Sequence, residues 1–268
     1  MKRTKNNDNK LIIKHILTFL FLFLIYHFPE FLQQHYQKPL LLLFETVMLV
    51  FVITAFFVGR RNHNNGLKTF GLISFRQHKG NLLKGIIIGF SLFAIAGFIP
   101  VWLNWSEISI HFGWKHILFQ TILFSLGTLL PSLSEDILTR GLLKAYFPEK
   151  WNTSWLILIS AIVYVLNHYY RLNKPDVLLY LFILGILLMW SFVATGSLWL
   201  TLGIHWGSNI AYQFFTNLTD IDPIKETGLE NYLLALSFFI GFIAVFGFYK
   251  LNLFKVLKPS SDQNQAPA

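Results

Sequence analysis

Cysteine is absent from the 268-residue chain, which excludes disulfides and thiolate metal sites and leaves His and carboxylates as the available metal ligands. Charge is scarce as well. Asp, Glu, Lys and Arg together make up 13% of the residues, against about 25% in an ordinary soluble domain. The formal net charge of +9 does not point to nucleic acid, because the basic side chains are scattered between apolar stretches instead of gathering on one solvated face. What the chain does have is apolar surface, with 54% hydrophobic residues and 28 Phe. A water-soluble fold could not hide that much of it.

The apolar residues come in repeated runs of about 17 to 25, each long enough to cross a hydrocarbon core of about 30 Å. Hydropathy places spans near 11–29, 39–58, 82–103, 117–146, 154–171, 176–193, 197–214 and 231–249. The expected fold class is therefore all-α, a polytopic transmembrane helical bundle of about eight spans. The N-terminus is basic and then apolar like a signal peptide, but no small-residue cleavage site precedes His35, so it reads as an uncleaved first span. The fourth run is unusually long, and Pro131 within it is expected to kink or divide it, since proline removes a backbone hydrogen bond.

Lys and Arg are enriched in cytoplasmic loops. If the N-terminus is inside, only Lys38, Lys115, Arg171, Lys174 and Lys225 fall outside, leaving 17 of the 22 basic residues within, and the loop from Thr219 to Glu230 is acidic. Both termini are thus expected in the cytoplasm. The stretch from Gly59 to Lys84 mixes Arg60, Arg61, Lys68, Arg76 and Lys79 with Phe70, Leu72, Ile73 and Phe75; it reads equally as an interfacial segment on anionic lipid or as an ordinary basic loop. The polar tail after Lys258 is expected to be disordered and cytoplasmic.

Ionisable groups inside spans cost about 2.5 to 3.5 kcal/mol each at a helix centre, so each needs a reason. Three stretches hold them. In PSLSEDILTRGLLK, Asp136 and Arg140 are four apart and share a helical face, while Glu135 is turned by about 100°; Asp136 can neutralise Arg140 and leave Glu135 free. In AIVYVLNHYYR, His168 follows Tyr164 by four residues, and in LGIHWGSNIAY, His205 and Asn209 are again four apart, with small Gly207 and Ser208 permitting close helix approach. Taken singly, the His motifs more often serve packing, and the first could be a helix end outside the bilayer. Together they carry more. At about 1.5 Å rise per residue, Glu135, His168, His205 and Asn209 lie roughly 14 to 22 Å from the cytoplasmic ends of their helices, so they can meet near mid-membrane. A carboxylate beside a neutral His can hold a water and take its proton, with Glu135 and His168 as the candidate pair. His205 and Asn209 could donate hydrogen bonds to the oxyanion formed when water attacks an amide carbonyl.

These motifs resemble the CPBP family of intramembrane endopeptidases, which includes the CAAX prenyl-protease type and the bacterial Abi proteins linked to bacteriocin self-immunity. The family pattern is E-E-x-x-x-R, F-x-x-x-H and H-x-x-x-N; here it is matched by Glu135-Asp136-x-x-x-Arg140, Tyr164-x-x-x-His168 and His205-x-x-x-Asn209. Asp136 and Tyr164 depart from it, standing where the family has a second Glu and usually a Phe. The resemblance covers 117–214 and implies a catalytic core there; hydropathy sets before it three spans with a basic cytoplasmic loop over 1–116, and after it an outer loop and last span over 215–258 and a tail over 259–268. It implies water activated by Glu135 and His168, an oxyanion held by His205 and Asn209, and support from Asp136 and Arg140. It implies as well a multi-pass cell-membrane location and a peptide or membrane-protein substrate, prenylated if the processing is of CAAX type. A zinc site would draw on Glu135, His168 and His205, but no H-E-x-x-H is present, which favours a metal-free glutamate mechanism without cofactor. Two rivals are a proton-coupled transporter, for which Glu45 supplies a further intramembrane carboxylate, and a non-catalytic immunity or binding protein.

Overall fold

The computed structural model describes residues 2–36, 41–146 and 152–256. The expected tail over 259–268 lies outside them. The elements run α1 (Lys2–Tyr36), α2 (Leu41–His63), a 3-10 turn (Gly66–Phe70), α3 (Phe75–Trp102), β1 (Ser106–Ser109), α4 (Trp114–Asp136), a π turn (Ile137–Gly141), α5 (Leu142–Tyr146), α6 (Thr153–Asn167), α7 (Pro175–Thr195), α8 (Leu198–Asn217), β2 (Asp220–Pro223) and α9 (Glu230–Lys250). Because α4, the π turn and α5 are continuous, these elements form eight helical bodies, in the order the apolar runs foretold. Six are long and apolar enough to cross a membrane: Ile12–Tyr36, Leu41–Arg61, Phe75–Trp102, Trp114–Tyr146, Pro175–Thr195 and Glu230–Lys250. The protein is a multi-pass membrane protein.

The other two bodies carry His168, His205 and Asn209. Helix α6 has 15 residues, about 22 Å at 1.5 Å per residue, and stops at Asn167 instead of continuing to 171. His168 caps it with φ −97° and ψ 44°, and a 3-10 turn follows over Tyr169–Arg171. Helix α8 is buried along most of its length, from Leu198 to Phe215, so it can afford polar side chains that a lipid-facing helix could not. Its seam with α3 explains how it packs so deeply. Gly85 and Gly89 on α3 meet Gly203 and Gly207 on α8, and a Cβ on Gly89 would run into the Ile204 carbonyl, one on Gly207 into the Ile86 carbonyl. Two G-x-x-x-G pairs thus bring the backbones together, and Ser208 Oγ donates to Gly89 O across the seam at 3.2 Å.

Pro131 does not divide the fourth run. Helix α4 passes through it to Asp136, and the departure from α geometry comes later, in the π turn. That turn is pinned by side chains: Thr139 Oγ1 donates to Glu135 O at 2.7 Å and Ser160 Oγ to Thr139 O at 2.8 Å. Gly141 leaves room for Phe70, whose backbone a Cβ there would crowd. The stretch from Gly59 to Lys84 also resolves differently from either reading of it. Phe70 is fully buried, and Leu67 and Leu72 pack on the same core as Phe51 and Phe192, so most of its apolar side chains face protein, with Phe75 left exposed.

The bundle has two unlike ends. At the end that carries the Gly66–Phe70 turn, Leu198 N donates to Gly71 O at 3.0 Å, Trp199 Nε1 to Ile73 O at 2.7 Å and Asn81 Nδ2 to Lys255 O at 2.7 Å. At the opposite end β1 and β2 form an antiparallel two-stranded ribbon, pairing Ser106 with Pro223 and Ser109 with Asp220. Asn231 Nδ2 there reaches Asp176 Oδ2 at 2.7 Å. Glu45 on α2 directs a buried Oε1 toward Gly127 on α4 and finds no hydrogen-bond partner for it among the described residues.

Candidate active site

Three separate helical bodies bring the predicted residues together. Glu135 and Asp136 end α4, Arg140 sits in the π turn, His168 caps α6, and His205 and Asn209 lie one turn apart on α8. Glu135, Asp136, Arg140 and His205 are all at most 5% exposed.

Asp136 holds the polar core. Its Oδ1 accepts from Arg140 Nη1 at 2.6 Å and faces His205 Nδ1 at 3.1 Å, so one carboxylate oxygen ties the α4–α5 body to α8. Buried ions need this kind of pairing. Arg140 Nη1 also donates to Thr139 Oγ1 at 2.9 Å, and the Tyr164 ring covers the guanidinium at 4.5 Å, a cation–π contact that shields nitrogens lacking an acceptor among the described residues. The same ring meets His168 and His205 edge-on, at centroid separations of 4.9 and 5.9 Å. Tyr164 is thus a wall shared by the cation and both imidazoles.

Glu135 makes no ion pair with Arg140 among the described residues. Asn167 Nδ2 donates to its Oε1 at 2.7 Å, and His205 Nε2 stands 3.3 Å from its Oε2. His168, the expected partner, is farther: its Nδ1 is 3.8 Å from Glu135 Oε1 and 2.9 Å from the Tyr164 carbonyl. That carbonyl is an acceptor, so His168 Nδ1 carries the proton and the ring's Nε2 is left to face elsewhere. Asn209 donates to Ser132 Oγ at 2.9 Å, and Ser132 Oγ in turn donates to Thr128 O at 2.6 Å, which leaves the second Asn209 N–H unspent.

Several residues of this network were not singled out in the sequence. Asn167 bridges Glu135 to α1, because its Oδ1 faces His27 Nε2 at 2.9 Å while His27 Nδ1 faces Glu30 Oε2 at 2.7 Å. A signal existed: Asn167 precedes His168 directly, and His27 and Glu30 are ionisable residues at the edge of an apolar run, where they pass for an ordinary helix end. Ser132 carried no such mark.

Glu135, His168, His205 and Asn209 line one cavity of about 660 Å³, with Tyr164 and Ser132 in its wall. It continues past Tyr180 and Tyr212 to Arg171, Lys174, Asp176 and Asn231. A second cavity of about 510 Å³ shares Phe93, Tyr212, Asn231 and Leu234 with it and runs beneath the ribbon. Among the described residues no three His, Asp or Glu side chains gather as a metal would need, and the His168 nitrogen nearest Glu135 is engaged by a carbonyl.

Residues 117–211, about a third of the chain, match the family model described as Rce1-like, type II CAAX prenyl endopeptidase. No curated protein and no solved structure matches the chain. The matched segment holds Glu135, Asp136, Arg140, His168, His205 and Asn209 together with Asn167, so the part of this polytopic membrane protein that carries the polar cluster is similar to the CAAX-protease-like endopeptidases.

Proposed function

We propose that the protein is an intramembrane endopeptidase that hydrolyses a peptide bond with water activated by Glu135. The observation that carries this reading is the placement of Glu135 on a cavity wall, free of the Arg140 ion pair, with His205 and Asn209 beside it on one face of α8. A water between Glu135 and a scissile carbonyl gives its proton to the carboxylate as its oxygen attacks the carbon. His205 Nε2 and the second Asn209 N–H donate to the oxyanion of the tetrahedral intermediate. The C–N bond then breaks, and the leaving nitrogen takes the proton back from Glu135.

The ring of His205 suits its share of this work. Its Nδ1 faces Asp136 Oδ1 at 3.1 Å, which fixes the ring and leaves Nε2 on the Glu135 side. His168, held by the Tyr164 carbonyl, shapes the water site instead of acting as the nearest partner of Glu135. A CAAX-type substrate, prenylated or not, and a part in bacteriocin self-immunity are the roles that the family likeness suggests for such chemistry.

The test is cleavage of a peptide library by detergent-purified protein, with Glu135→Gln and His205→Ala alongside and their folding checked by thermal unfolding. Glu135→Gln is expected to lose about 10²- to 10⁴-fold in kcat, the range of general acid–base catalysis, and chelator is expected to leave the parent rate unchanged. Full activity in folded Glu135→Gln would sink the mechanism and favour a binding protein. Chelator-sensitive cleavage restored by zinc would overturn its metal-free form.

A further inference from the structure

The cavity is open toward one end of the bundle and blocked toward the other. Between Glu135 and the end stitched by Gly71, Ile73 and Lys255 lie Ile137, Leu138, Arg140 and Leu142, all at most 1% exposed, with Phe70 and Phe192 packed against them. Toward the ribbon end the cavity continues through Tyr170, Arg171, Lys174, Asp176 and Asn231. These polar and charged groups sit in the 169–174 connection and at the starts of α7 and α9. A rim of that chemistry suits entry of a peptide from water.

The two ends also differ in charge. Starting α1 and ending α9 at the stitched end, the chain places Arg60, Arg61, Lys68, Arg76 and Lys79 there with the basic N-terminal stretch, whereas the ribbon end carries Glu107, Asp220, Asp222, Glu226 and Glu230. The distribution of Lys and Arg decides orientation, and here it puts the stitched end in the cytoplasm.

We infer that the site is loaded from the extracytoplasmic face, so that its substrate is a peptide or an exposed segment of a membrane protein on that side and not a lipidated C-terminus in the cytosol. This rests on the peptidase reading only for the word substrate; the side on which the cavity opens is independent of any cleavage, and so is its test.

The chain has no cysteine, so any introduced thiol is the only one present. Three single variants suffice: Asn231→Cys at the cavity mouth, Glu107→Cys on the ribbon and Arg76→Cys at the start of α3, the last two exposed positions at opposite ends. Intact cells expressing each are treated with a membrane-impermeant maleimide, before and after permeabilisation. Labelling of Asn231→Cys and Glu107→Cys in intact cells, with Arg76→Cys labelled only after permeabilisation, is the expected result. The reverse pattern overturns the inference, and so does an Asn231→Cys thiol that stays unlabelled in intact cells while Glu107→Cys reacts. If Asn231→Cys fails to accumulate, Tyr212→Cys, which lines both cavities, takes its place.

Discussion

The stitched end and the ribbon end of this bundle are built from the same kind of helix and do opposite things. At the stitched end, loop carbonyls accept backbone and indole hydrogen bonds from α8, and Phe70 fills the space that Gly141 leaves open. At the ribbon end the helices part around two adjoining cavities lined by Tyr, Asn and charged residues. Glu135 sits where the one passes into the other. Closure below it holds the carboxylate in place, and the opening above it is where the proposed peptidase would take in a substrate, a rigid floor and a wet mouth being what chemistry inside a membrane needs.

The largest effect is expected where the floor is ionic. Arg140→Met leaves Asp136 buried with His205 as its remaining partner, and removing one member of a buried pair costs about 3 to 5 kcal/mol. Thermal unfolding in detergent should show that loss, and the double variant Arg140→Met with Asp136→Leu should recover part of it, since no orphaned carboxylate remains. A single variant as stable as the parent would mean that the buried Asp136–Arg140 pair contributes no net stability.

A smaller loss is expected at the seam that seats His205 and Asn209. Gly89→Val must push α8 away from α3, at about 1 to 3 kcal/mol for overpacking, whereas Gly80→Val on the same helix meets nothing nearby and should change stability by about 0.5 kcal/mol or less. If both variants unfold alike, the loss at Gly89 comes from helix propensity and not from the close backbone approach. The order of loss between them measures how much the floor depends on the α3–α8 contact.

The sequence made the helices and the main polar residues legible because both signals are local. Apolar runs near membrane thickness are visible residue by residue, and so are carboxylates and imidazoles stranded inside them. What escaped was decided by tertiary contact. The π turn at Ile137–Gly141 depends on Ser160 and Phe70 arriving from elsewhere as well as on its own Thr139, so Pro131 was the visible irregularity and not the real one. The early end of α6 follows from His168 folding back on the Tyr164 carbonyl, which hydropathy does not register. The two G-x-x-x-G pairs were present in the sequence but acquire meaning only when α3 and α8 lie face to face. Asp136 was read as a neutraliser of Arg140, whereas it also grips His205, a contact 69 residues away in the chain.

The smallest of these effects separates a positioning contact from a catalytic one. Asn167 fixes Glu135 Oε1 and is itself held by His27 from α1, outside the segment that matches the family. A hydrogen bond to a charged group contributes about 1.5 kcal/mol or more, so Asn167→Ala should lower kcat about tenfold while KM stays near the parent value, because the carboxylate loses its orientation and the cavity keeps its shape. His27→Ala acts one bond further away and should lower kcat less, with Asn167→Asp failing to rescue since it sets a second carboxylate against Glu135. Were Asn167→Ala to raise KM and leave kcat intact, the residue would be gripping substrate and not Glu135, and α1 would be a brace for the fold with no hold on the catalytic carboxylate.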